Sequence, residues 1–189
     1  MELRRLLLFV LAGSLALCAV VAIVVVITGA YNATSGRILM TILSVGFYSL
    51  AGLCCTPHLE QDIYKRRFAQ FGLTVAGVGL LHACATNWLD VGGVSGIVNL
   101  LRFRVFFFVL AIAVAHVSLL LMITPRNSLV RGAQYGTIVC SVLVAVMLLA
   151  IIYGTNIGGG AVGQTVIVLG ILDALGSIVT PILHIASKA

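Results

Sequence analysis

The chain has 189 residues, of which 61% are hydrophobic and 8% charged, with a mean hydropathy of +1.22. Ordinary soluble domains carry about 25% charged residues, so this balance excludes a soluble globular domain and leaves an integral membrane protein. The net charge of +6 suggests nucleic acid only superficially. The cations sit in short clusters between apolar runs, as membrane proteins place them, and no nucleic-acid partner is expected.

Six apolar runs follow in order: 6–28, 38–56, 69–86, 105–124, 136–153 and 162–185. A spanning helix needs about 20 mainly apolar residues, with a range of roughly 17–25, and all six qualify. The expected fold is therefore all-α, a single integral membrane domain over residues 1–189 built as a bundle of six transmembrane helices. The first run follows Arg4 and Arg5 and resembles a signal peptide at its start. It continues to Ile27, beyond the roughly 7–15 residues of a signal-peptide core, so it reads as an uncleaved span. Leu15-Ala16-Leu17-Cys18 falls short of a lipoprotein cleavage box because Leu17 is too large before the cysteine.

Lysine and arginine set the orientation. With the N-terminus cytoplasmic, Arg4, Arg5, Lys65, Arg66, Arg67, Arg126, Arg131 and Lys188 lie inside, while Arg37, Arg102 and Arg104 lie outside. Eight against three, of 11 in total, favours both termini in the cytoplasm. Tyr31, Trp88, Tyr135 and Tyr153 fall at expected span ends, where amphipathic rings settle among headgroups.

The connections differ in character. Residues 57–67 read PHLEQDIYKRR, with Glu60, Asp62 and the Lys65–Arg67 cluster. This cytoplasmic loop sets topology, and it is also where a protein partner or anionic headgroups would dock. Residues 87–101 read NWLDVGGVSGIVNLL, too apolar for a free loop, and are expected to form an interfacial or re-entrant piece. Asn32-Ala33-Thr34 is a formal glycosylation sequon, and Gly158-Gly159-Gly160 is an uncharged turn without the lysine of a phosphate-binding loop. Of the five cysteines, Cys18, Cys84 and Cys140 read as small apolar fillers, while Cys54 and Cys55 lie at a span end. No pair has metal-ligand spacing. Phe9-Val10-Leu11-Ala12 recurs as Phe108-Val109-Leu110-Ala111, and Leu81-His82 as Leu183-His184. Such offsets fit a duplication of three spans per half, inverted as in transporters.

The sixth run carries the strongest functional signal. Gly163, Gly170, Asp173, Ser177, Thr180, His184 and Ser187 recur at steps of three and four, interrupted by Val166, which places them on one helix face. Asp173 lies at the centre of the run, where a carboxylate must face a partner or a water-filled cavity. At about 1.5 Å per residue, only His116 of the fourth run shares that depth. The two are expected within hydrogen-bond or single-water reach, about 2.6–5 Å. Ser177, Thr180 and His184 continue the face towards the cytoplasm, and Pro181 frees a backbone carbonyl near Ser177. The competing reading is that these groups only hold helices together in lipid.

His82 in the third run is an interhelical donor or an additional polar contact. It lies about 8–9 Å from the depth of His116, which argues against bis-histidine haem. No cofactor and no metal are expected. Gly72, Ala76, Gly79 and Ala83 give the third run a small-residue stripe for close helix packing. Thr41, Ser44, Gly46, Tyr48 and Ser49 give the second run polar groups that could meet the stripe of the sixth.

No HExxH, no GxSxG with a partner histidine and no paired carboxylates occur within the runs, so an enzyme is not expected. Residues 37–44 (RILMTILS), 115–121 (AHVSLLL), and 171–176 (ILDALG) through Pro181 resemble a group of uncharacterised small polytopic membrane proteins of bacteria. The resemblance implies a bacterial inner (plasma) membrane setting and no known activity. Three functions stand as expectations. The first is a non-enzymatic accessory or scaffold subunit of a membrane assembly. The second is a proton- or ion-coupled transporter of small solutes using Asp173 and His116. The third is a subunit contacting lipid or pigment through a histidine.

Overall fold

The computed structural model describes residues 2–28, 32–89, 94–123, 128–154 and 159–186. Among them there are six α-helices, no strand and one 3-10 turn: α1 (Glu2–Thr28), α2 (Ala33–Cys55), the turn Thr56–His58, α3 (Ile63–Trp88), α4 (Val94–Leu121), α5 (Ser128–Ile152) and α6 (Gly159–Ala186). All six helices are long and apolar enough to cross a membrane. Each starts earlier than its apolar run, because helical hydrogen bonding continues through polar residues that end a hydropathy signal. The cluster Lys65–Arg67 is accordingly helical, in the first turns of α3, and the connection before it is short.

One expectation is corrected. Residues 94–101 are not a re-entrant piece. They are the first turns of α4, which begins at Val94 rather than Val105. Gly96 suggested a break, but it lies within the helix, and glycine is tolerated in membrane helices. Residues 90–93 lie outside the described residues.

The chain groups into two compact units, Met1–Ala111 and Ile112–Ala189. The boundary falls inside α4, not between α3 and α4, so the units do not coincide with a three-plus-three duplication.

In the first unit α2 packs against both α1 and α3. The expected stripe on α3 is the packing face: Gly72, Ala76, Gly79 and Ala83 are buried, with Ala69 and Val75 beside them. The small residues admit a large one from α2. The ring of Tyr48 lies over Gly79, where an added Cβ would come within 2.8 Å of Cζ. Gly46 faces Ser14 of α1 in the same way, 3.0 Å from Oγ. Of the polar set on α2, Thr41 accepts from Asn87 and Trp88 of α3, while Ser44 donates to the carbonyl of Met40 on its own helix. Apolar side chains such as Phe9, Leu17, Ile23 and Ile27 point outward, as lipid-facing residues do.

The second unit is built on α5 against α6. The buried face of α5 is Val130, Gln134, Thr137 and Ser141, a stripe at steps of four, three and four. Thr137 packs on Gly176 of α6 so closely that an added Cβ there would lie 3.0 Å from the threonine Cβ and Cγ2. Gln134 closes the end of α4: its amide nitrogen donates to the carbonyls of Leu120 at 2.6 Å and Ile123 at 3.0 Å. The Leu120 carbonyl also accepts from the Ile123 N–H at 3.1 Å, so the amide adds a second donor there and caps Ile123, beyond the last helical residue.

Candidate functional site

Three helices of the second unit bring their polar groups together around Asp173. From α4, His116 places Nε2 3.5 Å from Asp173 Oδ1. The pair expected from shared depth is therefore in contact. From α5, the Ser141 hydroxyl donates to the same oxygen in a short hydrogen bond. One turn along α6, Ser177 Oγ lies 3.0 Å from His116 Nε2 and donates to the backbone carbonyl of Asp173 at 2.6 Å.

One arrangement of protons satisfies every contact. Ser141 donates to the carboxylate. Ser177 donates back to the Asp173 carbonyl and so accepts from His116 Nε2–H. The 3.5 Å between imidazole and carboxylate is beyond an ordinary N–H···O bond of about 2.7–3.2 Å, and Ser177 ties the imidazole to the backbone carbonyl of Asp173 rather than to its carboxylate. The side chains of His116 and Asp173 are part-buried, at 31% and 21% exposed.

The remaining members of the stripe separate. Thr180 is fully buried, but its hydroxyl is spent on the carbonyl of Gly176 at 2.7 Å, one turn back on its own helix. Pro181 continues α6 and has no N–H to donate to the carbonyl of Ser177. The side chain of His184 and all of Ser187 lie outside the described residues. His82 belongs to the first unit. Its Nε2 is 3.5 Å from the carbonyl of Leu100, at the limit of a hydrogen bond, and its ring rests against Phe103 and Phe107 with centroids 6.2 and 5.8 Å away.

Ser141 was missed by the sequence reading, although the signal was present. Gln134, Thr137 and Ser141 repeat at helical steps, but a fifth run begun at Gly136 cuts Gln134 off and breaks the pattern. His58 was missed as well. It is fully buried, with Nδ1 3.3 Å from Gln61 Oε1, folded under a turn that looked like open loop. Among the described residues, no group of three or more His, Cys, Asp or Glu could hold a metal ion. Comparison with known families, curated proteins and solved structures returns no match to this chain.

Proposed function

We propose that the protein is a multi-pass membrane protein that couples proton or ion movement to small-solute transport through the Asp173–His116 pair. The observation that carries this reading is a carboxylate midway along a membrane-length apolar helix, bonded to Ser141 and 3.5 Å from an imidazole. A carboxylate in such a position is a functional hypothesis by default. Imidazole is the side chain best suited to take and release protons near neutrality. A bacterial inner-membrane setting with both termini in the cytoplasm goes with this reading, on the eight-to-three charge split. The placement of Lys65–Arg67 supports it further. Three cations at a helix N-terminus oppose the helix dipole, at about 0.3–1 kcal/mol each when exposed, so their position answers to something other than helix stability, and retention on the cytoplasmic side is such a cause.

The test is reconstitution into liposomes loaded with a pH-sensitive dye, with an imposed membrane potential. Wild type is expected to conduct protons. Asp173→Asn keeps size and hydrogen bonding and is expected to abolish the flux without lowering the melting temperature. A silent wild type, or an Asp173→Asn protein that conducts equally, rejects the reading.

A second reading, an accessory or scaffold subunit of a membrane assembly, draws on the same contacts. Ser141, Asp173, His116 and Ser177 tie α4, α5 and α6 together, as polar groups do between helices in lipid. It calls for a partner, held through lipid-facing helices or through the 57–67 segment. Native purification that retains a stoichiometric second protein supports it; a monodisperse, proton-conducting preparation excludes it.

A further inference from the structure

The first unit holds a cavity of about 440 Å³ between α2, α3 and α4, lined by Met40, Leu43, Phe47, Tyr48, Arg104 and Phe108 among others. We propose that it binds one anionic lipid of the bilayer, with the headgroup phosphate on Arg104 and an acyl chain along the apolar wall. The proposal is independent of the Asp173 site.

The wall is hydrocarbon and aromatic. Phe47 and Phe108 stack with centroids 4.5 Å apart and planes 24° from parallel, giving a flat, rigid side against which a chain can lie. Met40 and Leu43 are half exposed beside them. Arg104 is the exception in this lining. It lies next to the outer end of the apolar run that starts at Val105, bonded to Asn87 near the end of α3, the level at which headgroups and interfacial aromatics meet.

Among the described residues, the groups it is bonded to are neutral. Nη1 donates to Asn87 Oδ1 at 2.8 Å, Asn87 Nδ2 donates to Thr41 Oγ1 at 3.1 Å, and the Thr41 hydroxyl donates to the carbonyl of Arg37 at 2.8 Å. This chain of dipoles fixes the guanidinium but leaves its charge unbalanced by those partners. Arginine has five N–H donors in a rigid fork, and the bond to Asn87 takes one. The rest match phosphate geometry. A cation at one end of a greasy groove open to lipid is complementary to an amphiphile with the opposite charge at its head, and the bilayer supplies that molecule.

The chain's single tryptophan reports on the site. Trp88 Nε1 donates to the same Thr41 Oγ1 at 3.2 Å, beside Asn87. The full-length protein is placed in bilayers containing either brominated phosphatidylglycerol or brominated phosphatidylcholine, and Trp88 fluorescence is recorded. Wild type is expected to be quenched several-fold more effectively by the brominated anionic lipid at equal mole fraction. Arg104→Gln is expected to remove that preference while quenching by phosphatidylcholine persists. Arg104→Lys retains the charge without the fork and is expected to fall between, which keeps the test open where the glutamine variant fails to fold. Val105→Phe, which narrows the groove, is expected to weaken quenching by both lipids. Glycerol phosphate, a headgroup without a chain, is expected not to compete. Equal quenching by the two lipids in wild type overturns the proposal, as does an anionic preference that survives Arg104→Gln. Competition by millimolar glycerol phosphate, or indifference to Val105→Phe, overturns the acyl-chain half of it.

Discussion

The two units deal with polar groups in an apolar chain in opposite ways. In the first, the polar cluster of Thr41, Asn87, Trp88 and Arg104 gathers towards helix ends, while the helix middles pack through Gly72, Ala76, Gly79 and Ala83. In the second, Asp173 sits at the middle of α6 and collects Ser141, His116 and Ser177 around it. A polar group near a helix end can complete its hydrogen bonds with headgroups or water. One at mid-helix must complete them inside the protein, because hydrocarbon offers nothing. The second arrangement is therefore less tolerant of loss, and its presence asks for a reason beyond packing.

Removing a partner from each cluster measures that difference. Asp173→Leu leaves the Ser141 hydroxyl without its acceptor and deprives His116 of its carboxylate, and is expected to lower stability by roughly 2–3 kcal/mol, at the upper part of the range for stranded buried groups. Asn87→Leu strands Thr41 and Arg104 nearer a helix end and is expected to lower it by about 1 kcal/mol or less, since both can turn to water. Denaturant titration in detergent micelles gives both values. Equal losses would mean that the two clusters are equivalent and that the mid-helix position carries no special penalty.

Close packing gives the next largest contrast. Gly176→Ala drives a methyl against Thr137 Cβ, an atom fixed to the α5 backbone, and against Cγ2, which can move only if χ1 turns and the hydroxyl gives up the Ala133 carbonyl. Gly79→Ala meets the ring of Tyr48, whose χ angles can shift it. Overpacking costs about 1–3 kcal/mol, and Gly176→Ala is expected to stand in the upper half of that range and Gly79→Ala in the lower. Thermal melts of the two variants in one detergent decide it. A larger loss at Gly79 would make the tyrosine the stiffer of the two contacts.

What the sequence revealed follows the same division. Six apolar runs are a strong signal, and six helices of membrane length are found. The depth of a residue along a run is also legible, and it brought His116 to Asp173 before any fold was known. Small residues at helical spacing on α3 marked its buried face. Rotation about a helix axis was harder to read. Depth names which residues lie level but not which helix faces which, so Ser141 was passed over although it bonds to Asp173. The start of α4 was misplaced because hydropathy registers solvation, whereas the helix is set by backbone bonding that runs on through Asn99 and Arg102. His58 could not be read as buried because it lies in the 3-10 turn Thr56–His58, which packs against α2 and α3, a feature of three-dimensional closure with no periodicity behind it.

The smallest expected effect lies at the entrance to α2, where the first unit again satisfies polar groups at a helix end. Asn32 caps the helix: its Oδ1 accepts from the Ser35 N–H at 2.9 Å, and the Ser35 hydroxyl accepts from the Asn32 N–H at 2.9 Å. Two of the otherwise unpartnered donors of the first turn are met reciprocally, as in a capping box. Asn32→Ala removes one of these bonds and weakens the fixed geometry of the other. Loss of an N-cap costs about 0.5–2 kcal/mol, and because Asn32 is exposed water replaces part of what is lost, so about 0.5–1 kcal/mol is expected. Asn32→Asp retains the acceptor, adds a negative charge at the positive end of the helix dipole, and should match or exceed wild type. Hydrogen exchange locates the effect: amides of the first turn of α2 should exchange faster in Asn32→Ala, with protection around Tyr48 unchanged. Faster exchange throughout α2 would show that the cap holds the whole helix in place, and the first unit would then depend on its ends as heavily as the second depends on its centre.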